Sequence, residues 1–191
     1  MNIAIVGATG NVGRKLIEVL EKKKFPISEL FLVASSKSEG KKISYSGKEY
    51  TVIDLEKFDF SNVKIAFFAA GSLIAEKWAH IAAEKTIVID NSKFFRKDPE
   101  IPLVVPEVNS KELAQVKNKN IIANANCSVI PLVVALKPLH DLYNVKRIVA
   151  STYQSVSGAG KDAMDELASQ TQEFFQNKKL ESKYFTKQIA F

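Results

Sequence analysis

The chain has 191 residues, 46% of them hydrophobic and 25% charged, with a formal net charge of +6; this is enough for one full domain with a buried core and part of a second. No window approaches the roughly 18 consecutive apolar residues of a membrane helix, the opening MNIAIVGATG lacks the basic and long apolar regions of a secretory signal, and one cysteine allows no internal disulfide, so the expected setting is the reducing cytoplasm with no membrane partner. The lysines are scattered (KKK at 22–24, KK at 41–42, KK at 178–179) without aromatic interleaving, so they read as a solvated surface and no nucleic-acid partner is expected.

Residues 2–6, NIAIV, are an apolar run that ends in the glycine turn GATGNVG. RKLIEVLEKK follows, and Val12, Leu16, Ile17, Val19 and Leu20 fall at helical spacing. LFLVAS at 30–35 reads as a buried strand, and KKISYSGKEYTVI as a hairpin turning at Ser46-Gly47. KIAFFAA at 64–70 is a further strand, 72–85 a helix with Leu73, Trp78 and Ile81 inward, and TIVID at 86–90 another strand. Strands alternating with helices predict an α/β fold with a doubly wound, mostly parallel sheet. PEIPLVVPEVN holds three prolines and predicts an extended crossing rather than a helix. NIIANAN is a short strand that leads to Cys127, and a helix is expected from about Ser128 to Leu142, with Pro131 in its first turn and a kink at Pro138. VKRIVASTYQ reads as a longer strand, GKDAMDELASQTQEFFQ as a helix, and TKQIAF as a strand-like run.

Gly7, Gly10 and Gly13 have the spacing GxxGxxG directly after a strand and at the opening of a helix. Glycines there let the backbone turn tightly and approach a pyrophosphate, for which the helix N-terminus supplies N–H groups and partial positive charge. The context makes this a Rossmann-like dinucleotide turn rather than a merely structural one. NAD sites usually place an acid after the second strand to bind the ribose. Here that place reads ASSKSEGK, where Lys37 would attract a 2′-phosphate, so NADP is the expected cofactor. Glu39 is the residue that would spoil this reading if it turned toward the ribose.

Cys127 falls where a strand ends and a helix begins. A lone cysteine is commonly buried filler, but a helix N-terminus favours a thiolate. With a nicotinamide cofactor, such a thiolate suits aldehyde oxidation through a thiohemiacetal and a thioester, and Asn126 and nearby N–H groups would stabilise the oxyanion. A general base is harder to find. His80 is remote in sequence, and His140 is at the far end of the helix that Cys127 opens, roughly 20 Å away at about 1.5 Å per residue. Both histidines read as structural.

The stretches GATGNVG, SSKSEGK, IDNSKFFRKD, PLVVPEVN, IIANANCS, VVALKPLHDLY and STYQSVSGAGKDAMDEL, in this order, resemble the aspartate-semialdehyde dehydrogenase family along essentially the whole chain. The resemblance implies reversible conversion of aspartate semialdehyde, phosphate and NADP to aspartyl phosphate and NADPH, feeding lysine, diaminopimelate, threonine and methionine synthesis. It places the thioester-forming cysteine on Cys127, the substrate-orienting glutamine on Gln154 and the phosphate-binding arginine on Arg96. Cofactor contacts fall on Thr9, Gly10, Asn11 and Val12, on Lys37 and Ser38, on Gly71 and Ser72, and on Ser157 and Gly158. The family commonly has arginine at Lys37, proline at Ala125 and AGGS where this chain has AAGS. Family members are longer, and their catalytic histidine and substrate-binding arginine lie beyond the equivalent of Phe191. The expectation is therefore an N-terminal portion, inactive alone: residues 1–125 as the NADP-binding domain, and 126–191 as the incomplete opening of an α+β catalytic and dimerisation domain. A homodimer is expected for the full-length protein.

Three other readings compete. N-acetyl-glutamyl-phosphate reductase shares the chemistry but usually sets its nucleophile in a Pro-Gly-Cys context, unlike NANCS. Short-chain dehydrogenases need Tyr-x-x-x-Lys, and no tyrosine here has a lysine four positions on. A non-catalytic NADP-binding module would explain the missing base, but not Cys127, Gln154 and Arg96 together.

Overall fold

The structure, a computed structural model, describes the backbone of residues 1–191 and the side chains of all but Asn118. The chain divides into two compact units, Met1–Ile148 and Val149–Phe191. The first is built on eight strands: β1 (Asn2–Val6), β2 (Glu29–Ala34), β3 (Lys42–Tyr45), β4 (Lys48–Asp54), β5 (Ile65–Phe68), β6 (Ile87–Asp90), β7 (Leu103–Val104) and β8 (Ile121–Asn124). Their order is β3-β4-β2-β1-β5-β6-β8-β7. All neighbours are parallel except the β3–β4 hairpin. The helices of this unit are α1 (Asn11–Lys22), α2 (Ser72–Ala83), α3 (Pro106–Asn109) and α4 (Val129–Tyr143).

The doubly wound reading holds because β1 is buried on both faces. Ile3 and Ile5 pack on one side with Leu30, Leu32, Val52 and the α1 residues Ile17 and Leu20. Ala4 and Val6 pack on the other with Ala66, Phe68, Val88 and the alanines of α2. Strands covered on both faces have no polar side to show, which is why they read as continuous apolar runs. The hairpin turns where expected. Ser46 and Gly47 have φ of 50° and 75°, the left-handed pair that a two-residue turn between twisted strands requires.

Several expectations need correction. In α1, Val12 and Val19 are exposed and Gly13, Ile17 and Leu20 are buried. In α2, Leu73 and Ile81 point outward at 81% and 48% exposure, while Ala75, Ala79, Ala82 and Ala83 are buried. Small side chains let α2 approach the sheet, so its inward face follows the alanines, with Ile74 and Trp78 packed beside them. The proline-rich crossing carries a short strand, β7, and a helix, α3, begun by Pro106 at a position where proline's missing N–H costs nothing. A 3-10 stretch over Ser110–Asn118 follows. Helix α4 runs through Pro138 to Tyr143, close to the expected span. Residues 145–154 and 186–191 form no strand, because among the described residues no neighbouring strand supplies them with a ladder. The compact units divide at 148/149; the boundary read from sequence, 125/126, is a division of roles rather than of compactness.

The second unit is organised by α5 (Lys161–Phe175), entered through a 3-10 turn over Val156–Ala159. Two buried polar side chains on α5 hold the segment that follows. Glu166 accepts backbone N–H bonds from Lys183, Tyr184 and Phe185. Gln170 accepts from the amides of Ile189 and Ala190 at 3.0 and 3.2 Å and donates to the Glu181 carbonyl at 3.0 Å.

Candidate active site

The carboxyl ends of β1, β2, β5, β6 and β8 lie along one edge of the sheet, as their parallel pairing dictates. In open α/β sheets, ligands bind along that edge, where the strand order reverses. Here it reverses at β1, with β2 on one side and β5 on the other.

The glycine turn leaves β1 with Gly7 at φ +88°. The Gly7 amide donates to the Val33 carbonyl at 2.8 Å, and the Gly10 amide closes the turn on the Gly7 carbonyl at 3.0 Å. A Cβ at Gly7 would stand 2.7 Å from the carbonyl carbon of Ala69, and one at Gly13 would overlap the Gly7 carbonyl and lie 2.9 Å from the Ala8 Cα. The backbones of the first turn and of residues 69–70, just before Gly71 and Ser72, are thus in direct contact. No side chain caps α1 at Gly10. A tight turn of glycines before an uncapped helix fits a dinucleotide pyrophosphate. Asn11 and Val12 are exposed at that helix start.

After β2 the chain makes a 3-10 turn over Ser36–Ser38. Ser38 is buried, and its hydroxyl accepts from Thr9 Oγ1 and from Lys41 Nζ, each at 3.4 Å. Ser38 thereby joins the glycine turn to the turn after β2. Lys37 is exposed on the same turn. Glu39, the acid that threatened the NADP reading, is ion-paired with Lys57 at 2.8 Å.

At the other end of the edge, Asp90 closes β6 and is fully buried. Burial pushes its carboxyl above the ordinary range, opposed by hydrogen bonds from the Ser92 hydroxyl and amide at 2.6 and 3.1 Å and by the charge of Arg96. Arg96 donates through Nε to the Asn124 carbonyl at 2.9 Å and through Nη2 to the Asn91 carbonyl at 3.0 Å. Asn124 Nδ2 donates to Asn91 Oδ1 at 2.7 Å. The guanidinium is therefore oriented by carbonyls at the ends of two adjacent strands, β6 and β8.

Asn126 builds the opening turn of α4. Its carbonyl accepts from the Val129 and Ile130 amides, both at 3.0 Å. Its Oδ1 accepts from the Ser128 amide and hydroxyl at 3.0 and 2.7 Å, and stands 4.0 Å from Cys127 Sγ. Cys127 is exposed within this turn. Oδ1 only accepts and serves the turn, so the group Asn126 could offer an anionic oxygen is its Nδ2.

The sheet unit thus carries Gly7, Thr9, Gly10, Asn11, Val12, Gly13, Lys37, Ser38, Gly71, Ser72, Arg96, Asn126 and Cys127, whereas Gln154, Ser157 and Gly158 belong to the second unit. There Gln154 is exposed outside any helix or strand, and Ser157 lies in the 3-10 turn with its hydroxyl 2.7 Å from that of Ser155. His80 packs edge-on against Phe95, and His140 is in the last turn of α4. Among the described residues no group of acids, histidines and cysteine could hold a metal ion, and no helix is long and apolar enough to cross a membrane. Sequence reasoning missed Lys41, Asp90, Asn91, Ser92 and Asn124. All but Lys41 lie at the carboxyl ends of parallel strands, a placement the strand pattern itself could have flagged.

The comparisons with known proteins agree with this geometry. Residues 2–116 match the sequence model for the semialdehyde dehydrogenase NAD binding domain, and residues 136–191 match that for the semialdehyde dehydrogenase dimerisation domain. Over 191 residues the chain is 50% identical to an aspartate-semialdehyde dehydrogenase of Shewanella violacea, covering all of this chain and 56% of that protein. It superposes on the crystal structure of aspartate semialdehyde dehydrogenase II from Vibrio cholerae complexed with ASA with a TM-score of 0.93 at 52% identity, over 99% of this chain and 56% of the other. A Candida albicans aspartate semialdehyde dehydrogenase, solved with NADP, matches 75% of this chain and 48% of its own at 28% identity, with a TM-score of 0.61. The chain spans a little over half the length of the curated relatives it matches.

Proposed function

The chain belongs to the semialdehyde dehydrogenase family, and from that premise we propose that it forms the nucleotide-binding and nucleophile-bearing part of an NADP-dependent aspartate-semialdehyde dehydrogenase of amino-acid biosynthesis. The observation that carries this reading is the pairing of Cys127, exposed in the turn that opens α4, with Arg96, whose guanidinium is anchored three residues upstream on the Asn124 carbonyl. A nucleophile and an anion-binding cation thus share the carboxyl edge of a sheet whose first turn fits a dinucleotide. The bound nicotinamide supplies hydride acceptance.

The chain's own residues supply the nucleophile, the oxyanion contacts and the phosphate site. The Cys127 thiolate attacks the aldehyde carbon of aspartate semialdehyde, and the carbonyl oxygen takes the negative charge near the α4 N-terminus and Asn126 Nδ2. Loss of hydride leaves a thioester on Cys127. Arg96 holds inorganic phosphate by the guanidinium edge that its two backbone contacts leave available. The phosphate oxygen attacks the thioester carbonyl, Cys127 leaves as thiolate, and aspartyl phosphate forms. Gln154 orients the substrate, while Lys37 and Ser38 bind the 2′-phosphate and Ser157 and Gly158 the nicotinamide end. Through residues 136–191 the protein pairs with a second copy, in keeping with the dimerisation-domain match.

The test is phosphate-dependent reduction of NADP by aspartate semialdehyde in the full-length gene product, wild type against Cys127→Ala. The expected result is a loss of about a thousandfold or more with NADPH binding intact. Normal turnover in the variant would remove the thioester.

A further inference from the structure

The turn after β2 holds one carboxylate, Glu39, and its fate decides the charge that an adenosine ribose would meet. In a dinucleotide site, an acid there accepts hydrogen bonds from ribose hydroxyls and repels a 2′-phosphate. In this chain both Glu39 oxygens are within 2.9 Å of Lys57 Nζ. Lys57 comes from the 3-10 turn that ends β4. Ala34 at the end of β2 is paired with Asp54 at the end of β4, so the turns that follow the two strands start side by side, and Lys57 reaches Glu39 across them. The Glu39 hydrogen bond and charge also hold the Lys57 ammonium above its ordinary pKa, with Asp54 adding to the effect. Lys37 and Lys41 make no ion pair among the described residues, and Lys41 stands on the Ser38 hydroxyl that also receives Thr9.

We infer that Lys57 is a specificity-positioning residue: it engages Glu39 away from the ribose, leaving Lys37 and Lys41 as the charges that meet the 2′-phosphate of NADP. This rests on the NADP reading above. Nothing in the GATGNVG or ASSKSEGK stretches reveals it, because Lys57 lies in a separate turn, the one that follows β4. The pair is exposed, with side chains 63% and 41% accessible, so its influence is modest and screened by salt.

The test is equilibrium binding of NADPH and NADH to the whole chain as wild type, Lys57→Met and the double variant Lys57→Met/Glu39→Gln, at low and at high salt. Lys57→Met is expected to weaken NADPH by about two- to fivefold while NADH is unchanged or tighter, with a larger shift at low salt. Glu39→Gln in the Lys57→Met background is expected to restore the wild-type ratio, because the released carboxylate causes the change. A wild type that prefers NADPH, with the same ratio in Lys57→Met, overturns the inference and leaves the NADP reading standing. So does a shifted ratio that the double variant fails to restore. A wild type with no preference for NADPH overturns the NADP reading and this inference with it.

Discussion

In the sheet unit the side chains that leave water are large and apolar, among them Ile3, Ile5, Leu32, Phe68, Val88, Phe95 and Ile121. In the second unit, among the described residues, the buried side chains are Ala163, Ala190, Glu166 and Gln170. One unit coheres by removing hydrocarbon from water. The other coheres because two polar side chains of α5 take up backbone amides of the segment that follows the helix. The difference separates what hydrophobic burial can hold from what hydrogen bonds must hold, and the two respond differently to truncation and to pH.

The largest effect that breaks this contrast is at Phe68, which is 1% exposed in the core beneath α2. Phe68→Ala is expected to cost the sheet unit about 3–5 kcal/mol, read as a lower denaturant midpoint, while hydrogen-exchange protection at 183–190 stays at its wild-type level. Equal loss in both would mean that the units unfold as one. A smaller and opposite effect is expected at Gln170. Gln170→Ala leaves the Ile189 and Ala190 amides without their acceptor and is expected to cost about 1–3 kcal/mol, seen as faster exchange at those two amides with the sheet unit unmoved.

The smallest effect, and the sharpest contrast, is with pH. Burial alone would raise the Glu166 carboxyl, but the backbone N–H donors of Tyr184, Lys183 and Phe185 outweigh it and hold it below its ordinary 4.5. A depressed carboxyl contributes stability above the unfolded value, lost as pH falls through the folded one. Asp90 is shifted the other way, above its ordinary 3.8. Its contribution is full below 3.8 and is lost as pH rises through the raised folded value. Acidification below about 4.5 should therefore lower the protection of amides 183–185 relative to their intrinsic exchange at the same pH. In the same titration Asp90→Asn should be most favoured over wild type at neutral pH, with its advantage shrinking as the pH falls. Amides at 183–185 that stay equally protected down to pH 3 would remove Glu166 as the anchor.

The strand–turn–helix opening, the hairpin and the alternation of strands with helices were legible because each rests on local signals: apolar runs, left-handed turn positions and glycines at fixed spacing. The inward face of α2 was not, since its large residues suggested one stripe and close approach to the sheet selected the alanines. VKRIVASTYQ has strand composition, but a strand is a relation between two segments and composition states only half of it. At the site, Cys127 and the glycine turn could be singled out from their residue types and positions, and Arg96 only from the resemblance carried by IDNSKFFRKD. The carbonyls of Asn91 and Asn124 that aim Arg96 could not, because backbone groups carry no sequence signature. The partner of Glu39 was equally invisible, being set by the register of β2 against β4.

The ends of the sheet carry a consequence of their own. An open sheet of eight strands presents two rows of unpaired backbone groups, which invite accretion of further strands. Here one margin is β7, two residues long, and the other is β3, four residues long, with Lys42 tied to Glu49 of its neighbour. A template that short and charged gives an incoming strand little to zip onto, so the sheet unit should resist fibrillar self-association even at high concentration.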